Sequence, residues 1–146
     1  MDDKEVKTTG PSKYICFKLS KVMRKVQRYY ESELAFYNIT PVQFFVLNAL
    51  WENDGIKFKD LARSVNMDGS TLTGVLDRME RGGFVERRND PEDRRSLLIF
   101  LTDNSKKNGM MMFKSSENLD QEIKKQLSEE DFNLFVKVLD RLSQTE

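Results

Sequence analysis

The stretch from Asp68 to Gly83 constrains the fold of this chain more than any other part of the sequence. Asp68 suits an N-cap, because its carboxylate can accept hydrogen bonds from backbone N–H groups that the first helical turn leaves open. Apolar residues then recur at helical spacing, at Leu72, Val75, Leu76 and Met79. Gly82-Gly83 is typical of a helix stop, since glycine adopts the left-handed conformation at little cost. The stretch predicts one amphipathic helix of about 13 residues.

The front of this helix is made of poor helix formers. Its first turns hold small or hydroxyl-bearing residues, namely Gly69, Ser70, Thr71, Thr73 and Gly74. A DNA major groove accepts small polar side chains at close range, whereas helix stability does not select them. We therefore predict that the hydroxyls of Ser70, Thr71 and Thr73 contact base edges or phosphates. Gly74 would permit close approach to the DNA.

The segments on either side of this helix predict a winged helix-turn-helix. A short helix at 59–65 precedes it closely, which makes the pair a helix-turn-helix. After it, 84–88 and 96–101 have the pattern of strands, and 89–95 reads as an arginine-bearing turn. Upstream, Thr40-Pro41 and Gln43 form a strong helix-start signal with a capping box. The order helix, helix, strand, turn, strand is that of a DNA-binding domain with a β wing.

Both ends of the chain predict amphipathic helices. In the first, from Lys13 to about Phe36, an apolar seam is formed by Ile15, Leu19, Val22, Val26 and Tyr29. A chain of this size offers such helices too little partner surface, so we expect them to pair with a second copy. The predicted fold is mainly α with a small β wing. Its predicted parts are a flexible tail (1–12), a dimerisation region (13–37 and 103–146) and a winged helix-turn-helix domain (38–102).

The composition excludes several classes of function. The chain has no histidine and a single cysteine, which rules out histidine-dependent triads and multi-cysteine zinc sites. No nucleophile–base pair or phosphate loop is present, so we expect neither an enzyme nor a bound cofactor or metal. Apolar runs are too short to cross a membrane, and the single cysteine suits a reducing cytoplasm. The formal net charge of zero argues against a purely electrostatic nucleic-acid binder.

In order and spacing, these segments resemble the MarR family of bacterial transcriptional regulators. The resemblance spans about Lys13 to Leu142. Its carriers are Ile39–Phe44, Leu61-Ala62, Ser70–Thr73, Arg78-Met79-Glu80, Gly83–Arg95 and Leu101-Thr102. One departure is Ser105, where members usually have glycine.

The resemblance implies a homodimer that binds a palindromic double-stranded DNA operator, with the helix from Ser70 in the major groove. By analogy, Asp93 would orient Arg95, and Arg95 would enter the minor groove, which suits a guanidinium. Further phosphate contacts are predicted at Arg78, Arg87, Arg88 and Arg94. Nearby acids, namely Glu80, Glu86, Asp90 and Glu92, offset much of this charge, so weak nonspecific affinity and salt-sensitive specific binding are expected. Two alternatives stay open: Arg78 and Arg63 equally suit ion pairs with Asp77 and Asp60, and a solvated hairpin turn is the competing interpretation of residues 92–95.

The resemblance also implies a regulatory ligand. Small, often aromatic or lipophilic, molecules commonly bind in this family between the DNA-binding lobe and the dimerisation helices. The wall of such a pocket would draw on Tyr30, Tyr37, Phe44, Leu47, Trp51 and Met112. Each of these residues equally suits ordinary core packing. We expect a repressor that a small effector releases from its operator.

Cys16 opens a second possibility, redox control. Tyr14-Ile15-Cys16-Phe17 is similar to the one-cysteine organic-hydroperoxide sensors of the same family. Tyr30 matches one tyrosine that holds the thiol in those proteins, whereas Ser20 and Pro41 stand at two other such positions. The polarising set is incomplete, and an inert buried thiol is the competing interpretation. A third possibility, of another class, is a protein-binding helical adaptor that keeps the fold without binding DNA.

Overall fold

The structure is a computed structural model that describes residues 10–144. Residues 1–9 of the predicted N-terminal tail lie outside the described residues, and Pro11–Lys13 forms one 3-10 turn. The helices and strands follow in the order α1 (Ile15–Leu34), α2 (Pro41–Glu52), β1 (Ile56–Lys57), α3 (Phe58–Ser64), α4 (Gly69–Arg81), β2 (Val85–Asn89), β3 (Leu97–Leu101), α5 (Asp103–Lys124) and α6 (Glu129–Ser143). The strands form one antiparallel sheet in the order β1-β3-β2. The predicted mainly helical fold with a small β wing is confirmed.

The helix-start signals work as the sequence predicts. At α2, the Thr40 hydroxyl accepts from the Gln43 N–H at 3.3 Å, while the Gln43 side chain accepts from the Thr40 N–H at 2.9 Å. This reciprocal capping box satisfies two N–H groups that the first turn cannot bond internally. Thr102 and Ser128 cap α5 and α6 by accepting from N–H groups three residues on.

The end of α4 shows why the glycine pair stops the helix. Gly83 has a φ of +76°, whereas Gly82 keeps the right-handed helical conformation. The Phe84 N–H donates to the Met79 carbonyl at 2.9 Å, and the Gly83 N–H donates to the Glu80 carbonyl at 3.0 Å. This pair of bonds is the Schellman motif, which turns the chain sharply into β2. The left-handed residue is therefore Gly83 alone.

The hydrophobic core lies where α2, α3, α4 and the sheet meet. Side chains with no exposed surface come from all of these elements: Phe44, Leu50, Leu61, Leu72, Leu76, Met79 and Ile99. Burying each such side chain contributes about 1.5–3 kcal/mol, so this cluster holds the helix-turn-helix and the wing together. The apolar stripe predicted for α4 is thus its core-facing side.

The C-terminal half of α1 and the start of α5 pack on this core. Tyr30 and Leu34 are buried on α1, and Met112 is buried on α5. The Tyr29 hydroxyl donates to the Ser115 carbonyl at 2.7 Å. These contacts dock the two long helices against the winged domain.

The N-terminal half of α1 and most of α6 leave their apolar side chains exposed. On α1 these are Ile15, Phe17, Leu19, Val22 and Met23, and on α6 they are Leu134, Phe135, Val136, Val138, Leu139 and Leu142. Ile15, Leu19 and Val22, the N-terminal part of the predicted α1 seam, are therefore largely uncovered within the described chain. The predicted division at 13–37, 38–102 and 103–146 stays a prediction.

Candidate nucleic-acid interface

The front of α4 is organised by Asp68. Its carboxylate accepts from the Thr71 N–H at 2.8 Å, from the Ser70 hydroxyl at 2.6 Å and from the Thr71 hydroxyl at 2.7 Å. The hydroxyls of Ser70 and Thr71, followed by the Thr71 N–H, hold the pKa of Asp68 well below its usual range. The side chain is fully charged at neutral pH, and it caps the helix as the sequence predicts.

These bonds narrow what the front of α4 can offer to DNA. The Ser70 and Thr71 hydroxyl hydrogens are directed to Asp68, and the Thr73 hydroxyl donates to the Gly69 carbonyl at 2.8 Å. The sequence predicts that these hydroxyls contact base edges or phosphates, and in the structure they present acceptor oxygens for such contacts. Acceptors suit the amino groups of cytosine and adenine in the major groove. A β-carbon built on Gly74 would meet no atom within 4 Å, so this part of the face is open.

Arg87 is placed differently from the phosphate contact that the sequence analysis expected. Its guanidinium donates to the Glu80 carboxylate at 2.8 and 3.2 Å and also to the Asp77 carboxylate. The hydrogen bond from Arg87 lowers the pKa of Glu80, and that bond together with Asp77 raises the pKa of Arg87. We call these three residues the Arg87 clamp. These contacts join β2 to α4, and they leave the Arg87 side chain only 22% exposed.

Arg88, the next residue on β2, faces away from the clamp. It pairs with Glu86, and its guanidinium lies over the Phe100 ring at 4.3 Å from the ring centroid. This cation–π contact steadies the stem of the wing. The Arg88 side chain is still 58% exposed, so a phosphate contact there stays a prediction.

Asp93 shapes the tip of the wing through bonds to two backbone N–H groups. Its carboxylate accepts from the backbone N–H of Arg95 at 3.0 Å, and its carbonyl accepts from the Ser96 N–H at 2.9 Å. The aspartate therefore folds the turn and does not bond the Arg95 guanidinium. Arg94 and Arg95 are exposed, and no acid within the described range forms an ion pair with either.

Asp90 is the wing residue whose role the sequence analysis missed. It is only 5% exposed, its carboxylate accepts from the Glu92 N–H at 2.9 Å, and it pairs with Lys57 at 3.4 Å. The Glu92 N–H, followed by Lys57, lowers the pKa of Asp90. From the sequence, Asp90 is only one of several acids that offset the arginine charge of the wing. Asn89-Asp90-Pro91 carried the signal, because aspartate before a turn commonly bonds the backbone N–H two residues on.

The remaining predicted DNA contacts are on α3 and α4. Arg63 pairs with Asp60 at 3.4 Å, which is one of the two readings left open. Arg78 is exposed, no ion pair with Asp77 is present, and it lines a groove between α1, α2 and α4. The groove has a volume of about 700 Å³, and Met23, Val26, Glu31, Val42, Phe45 and Val75 also line it.

The predicted ligand wall is mostly core. Tyr30, Phe44, Leu47 and Met112 are at most 6% exposed. The Tyr30 hydroxyl donates to Ser116 at 3.0 Å, and its ring packs on Phe44. Tyr37 is half-buried, and Trp51 lies edge-on to Phe113 and against Gly109. None of the six lines the groove beside Arg78.

Cys16 is exposed in the first turn of α1, so the buried-thiol interpretation does not hold within one chain. Tyr30 lies 14 residues further along the same helix, which separates the two residues by about 21 Å along the axis. Tyr30 therefore cannot polarise the thiol of its own chain. Any such contact requires a second copy.

The described residues contain neither a candidate membrane span nor a candidate metal site. Within residues 10–144, no helix has the length and apolarity needed to cross a bilayer. The same part of the chain contains no group of three or more cysteine, aspartate or glutamate residues placed to hold a metal ion.

A capped helix with a polar front, braced to an arginine-tipped hairpin, defines a winged helix-turn-helix protein. Residues 39–97 match the sequence profile of the MarR family. AbfR of Staphylococcus epidermidis, in its reduced form bound to DNA, superimposes with a TM-score of 0.73. It is 32% identical, over 88% of this chain and 89% of AbfR. The chain belongs to the MarR family.

Two curated relatives are also transcriptional regulators. The regulator TtmR of Methylorubrum extorquens is 38% identical over 89 residues, which are 61% of this chain and 46% of TtmR. The organic hydroperoxide resistance transcriptional regulator of Bacillus subtilis is 37% identical over 89 residues, which are 61% of this chain and 60% of that protein. The matched part therefore spans about half of these relatives.

Proposed function

We propose that the protein is a sequence-specific DNA-binding transcriptional regulator that acts as a homodimer. In this proposal α4 enters the major groove, and the wing reaches the adjacent minor groove. The observation that carries it is the wing tip, where Asp90 and Asp93 hold a turn that presents two exposed arginines without acidic partners among the described residues. Unpaired arginines on a fixed turn suit a narrow, negative groove. AbfR, which resembles this chain over most of its length, is itself bound to DNA.

The exposed apolar faces support the homodimer. α6 and the N-terminal half of α1 leave 11 large apolar side chains exposed, six and five respectively. Soluble monomers rarely expose apolar faces of this extent, and a two-fold pairing of the same helices would cover them. A two-fold dimer would present its two α4 helices to successive major grooves, about 34–36 Å apart. A palindromic operator is the DNA that matches this symmetry.

The proposal includes repression that a small effector releases. We place the effector site in the groove beside Arg78, and not at the aromatic wall predicted from the sequence. The groove between α1 and α4 joins a helix of the proposed dimer to the helix that would read DNA. Its walls are apolar, with Arg78 and Glu31 as charged groups. A ligand that spans these walls would change the angle between α1 and α4, and so the spacing of the two α4 helices. A cytoplasmic location completes this proposal.

A footprint on the DNA around the protein's own gene tests the function. The expected result is a protected palindrome, and Arg95→Ala should weaken binding to it about tenfold without unfolding the protein. Arg28→Ala on α1 is the matched control, since Arg28 is also exposed but lies far from the wing in sequence and on a dimerisation helix. The absence of any sequence-selective binding would favour the adaptor function. Equal affinity of both variants would refute the wing assignment.

Redox control through Cys16 is the second candidate. The exposed thiol on α1 favours it, as do a hydroperoxide-resistance regulator and AbfR, which is known in reduced and overoxidized forms, among similar proteins. The thiolate sulfur would attack an organic hydroperoxide, giving a sulfenic acid and the corresponding alcohol. Cumene hydroperoxide should then release wild type, but not Cys16→Ser, from the operator. The same response in both proteins would make Cys16 irrelevant to the signal.

A further inference from the structure

The Arg87 clamp is a polar brace between the two elements proposed to bind DNA. The Arg87 guanidinium reaches Glu80 through two nitrogens and Asp77 through one of them. The Arg87 backbone N–H also donates to Glu80, at 3.3 Å. Asp77 and Glu80 lie on one side of α4, three residues apart, and Arg87 lies in the middle of β2. One side chain thus fixes where the wing leaves the helix.

The core does not need this brace in order to form. β2 is already paired with β3 from Val85 to Asn89. α4 is already anchored by Leu72, Val75, Leu76 and Met79 on its buried side. The clamp lies outside that cluster, with Asp77 and Glu80 each more than 40% exposed. Its effect is therefore on the relative orientation of α4 and the wing.

Charge makes the clamp an unexpected feature of a DNA-binding face. Asp77 and Glu80 bring two negative charges, and Arg87 supplies one positive charge. Because DNA phosphates repel carboxylates, electrostatics alone would favour a face without these acids. Their presence is accounted for if the gain in orientation exceeds the cost in repulsion.

We propose that Arg87 is a positioning residue for DNA recognition. Through Asp77 and Glu80 it holds the wing at one angle to α4, so that both elements reach their grooves together. This inference rests on the proposed DNA-binding function. In this role Arg87 does not contact DNA. It acts only by fixing the angle between α4 and the wing.

The direction in which operator affinity changes, when the acids of the clamp are neutralised, separates this role from simple electrostatics. The double variant Asp77→Asn/Glu80→Gln removes two acids and releases Arg87. Glu86→Gln/Glu92→Gln is the matched control, since it removes two acids from the wing itself, releases Arg88 from its ion pair with Glu86 and leaves the clamp intact. In anisotropy titrations with the footprinted operator, the clamp variant should bind about tenfold more weakly than wild type. The control should bind equally or more tightly.

Arg87→Lys gives a second test at constant charge. A lysine ammonium is a single point and lacks the planar fork that reaches both carboxylates. A phosphate contact would tolerate this change, whereas the clamp should not, and we expect about threefold weaker binding. Wild-type affinity in Arg87→Lys, or a clamp variant that binds as tightly as the control, would overturn the proposal.

Hydrogen exchange tests the clamp without DNA. In the free full-length protein, Asp77→Asn/Glu80→Gln should speed amide exchange across residues 85–101 and leave 15–34 unchanged. A merely structural role would speed exchange in both segments, because it would lower global stability. Uniform or unchanged exchange counts against the proposal. If wild type binds no DNA, the proposed function fails, while this measurement still decides whether the clamp orients the wing.

Discussion

The winged core, residues 38–102, and the terminal faces on the N-terminal half of α1 and on α6 differ in where their apolar side chains go. In the winged core, Leu61 and Leu76 have no exposed surface. On the terminal helices, Ile15 is 73% exposed and Leu134 is 59% exposed. The same class of side chain therefore stabilises the core from within but leaves the ends in need of a partner. The core holds its own geometry, and the ends are suited to decide assembly.

The largest expected effect is in the winged core. Leu76→Ala should lower the free energy of unfolding by about 2–5 kcal/mol, because it leaves a cavity beneath α4. Leu134→Ala on α6 removes the same atoms from an exposed position. Urea unfolding at low protein concentration, where the proposed dimer would dissociate and leave Leu134 exposed, measures both. If the two variants lost equal stability, the contrast between core and ends would be wrong.

The next effect concerns assembly. Leu139→Glu places a charge on the exposed apolar face of α6 and should raise the dimer dissociation constant about 100-fold. Sedimentation at several protein concentrations measures this constant, and circular dichroism checks that the helices persist. Asn133→Glu, on the same helix, is a charge-matched control. A wild-type protein that sediments as a monomer would remove the need for a partner.

A smaller effect lies at the junction of the two regions. Asp54 accepts from the Leu101 N–H at 2.8 Å and pairs with Lys106 at 2.8 Å, which ties β3 and α5 to the end of α2. Partial burial alone would raise the pKa of Asp54, but the hydrogen bonds from Lys106 and Leu101 outweigh it and lower that pKa. We expect Asp54→Asn to cost about 1–2 kcal/mol at pH 7.

The sign of the pH dependence follows from this lowered pKa. A carboxyl group whose pKa is lower in the folded state stabilises above its unfolded pKa and loses that contribution as the pH falls through the folded value. The stability difference between wild type and Asp54→Asn should therefore be constant near neutrality and shrink below about pH 4. Unfolding curves from pH 7 to pH 3 measure it. A difference that grows in acid would contradict the assigned pKa direction.

The smallest effect is at Ser105, where the chain departs from the usual glycine. Its buried hydroxyl donates to the Phe84 carbonyl at 2.6 Å, so it links the start of α5 to the start of β2. Ser105→Ala should cost about 0.5–1.5 kcal/mol in thermal unfolding. Ser143→Ala removes an exposed hydroxyl that donates to the Asp140 carbonyl of its own helix, and it provides a comparison that leaves this junction intact. If Ser105→Ala unfolded at the same temperature as wild type, serine at this position would contribute nothing to stability.

Much of the fold could be predicted because its signals are local. The capping box at Thr40, the cap at Asp68 and the stop at Gly83 each depend on residues within one helical turn. The strands of the wing lie within one residue of their predicted starts. Local hydrogen bonds and apolar spacing are properties of neighbouring residues, and the sequence displays them directly.

The candidate site was less predictable, because charged side chains choose partners across elements. Arg87 lies seven and ten residues from the acids it contacts, on a different element. Asp93 was expected by analogy to orient Arg95, and the bond that it makes is to the Arg95 backbone N–H. The aromatic residues of α2 suit a ligand wall or a core equally until the packing is known. These outcomes depend on distances between elements that residue spacing does not encode.

The sequence by itself determined the order of elements, their caps, the apolar faces and the MarR resemblance. Those features follow from backbone hydrogen bonding and hydrophobic periodicity, which act over a few residues. Only the tertiary structure decided that the hydroxyls at the front of α4 are bonded to their own helix, that Arg87 braces the wing, and that the open groove lies beside Arg78. The hydroxyl bonds at the front of α4 are local, but they require one definite backbone conformation. The Arg87 brace and the groove depend on how separate elements pack. Local chemistry therefore sets the helices and strands, whereas the partners of the functional side chains depend on packing between these elements.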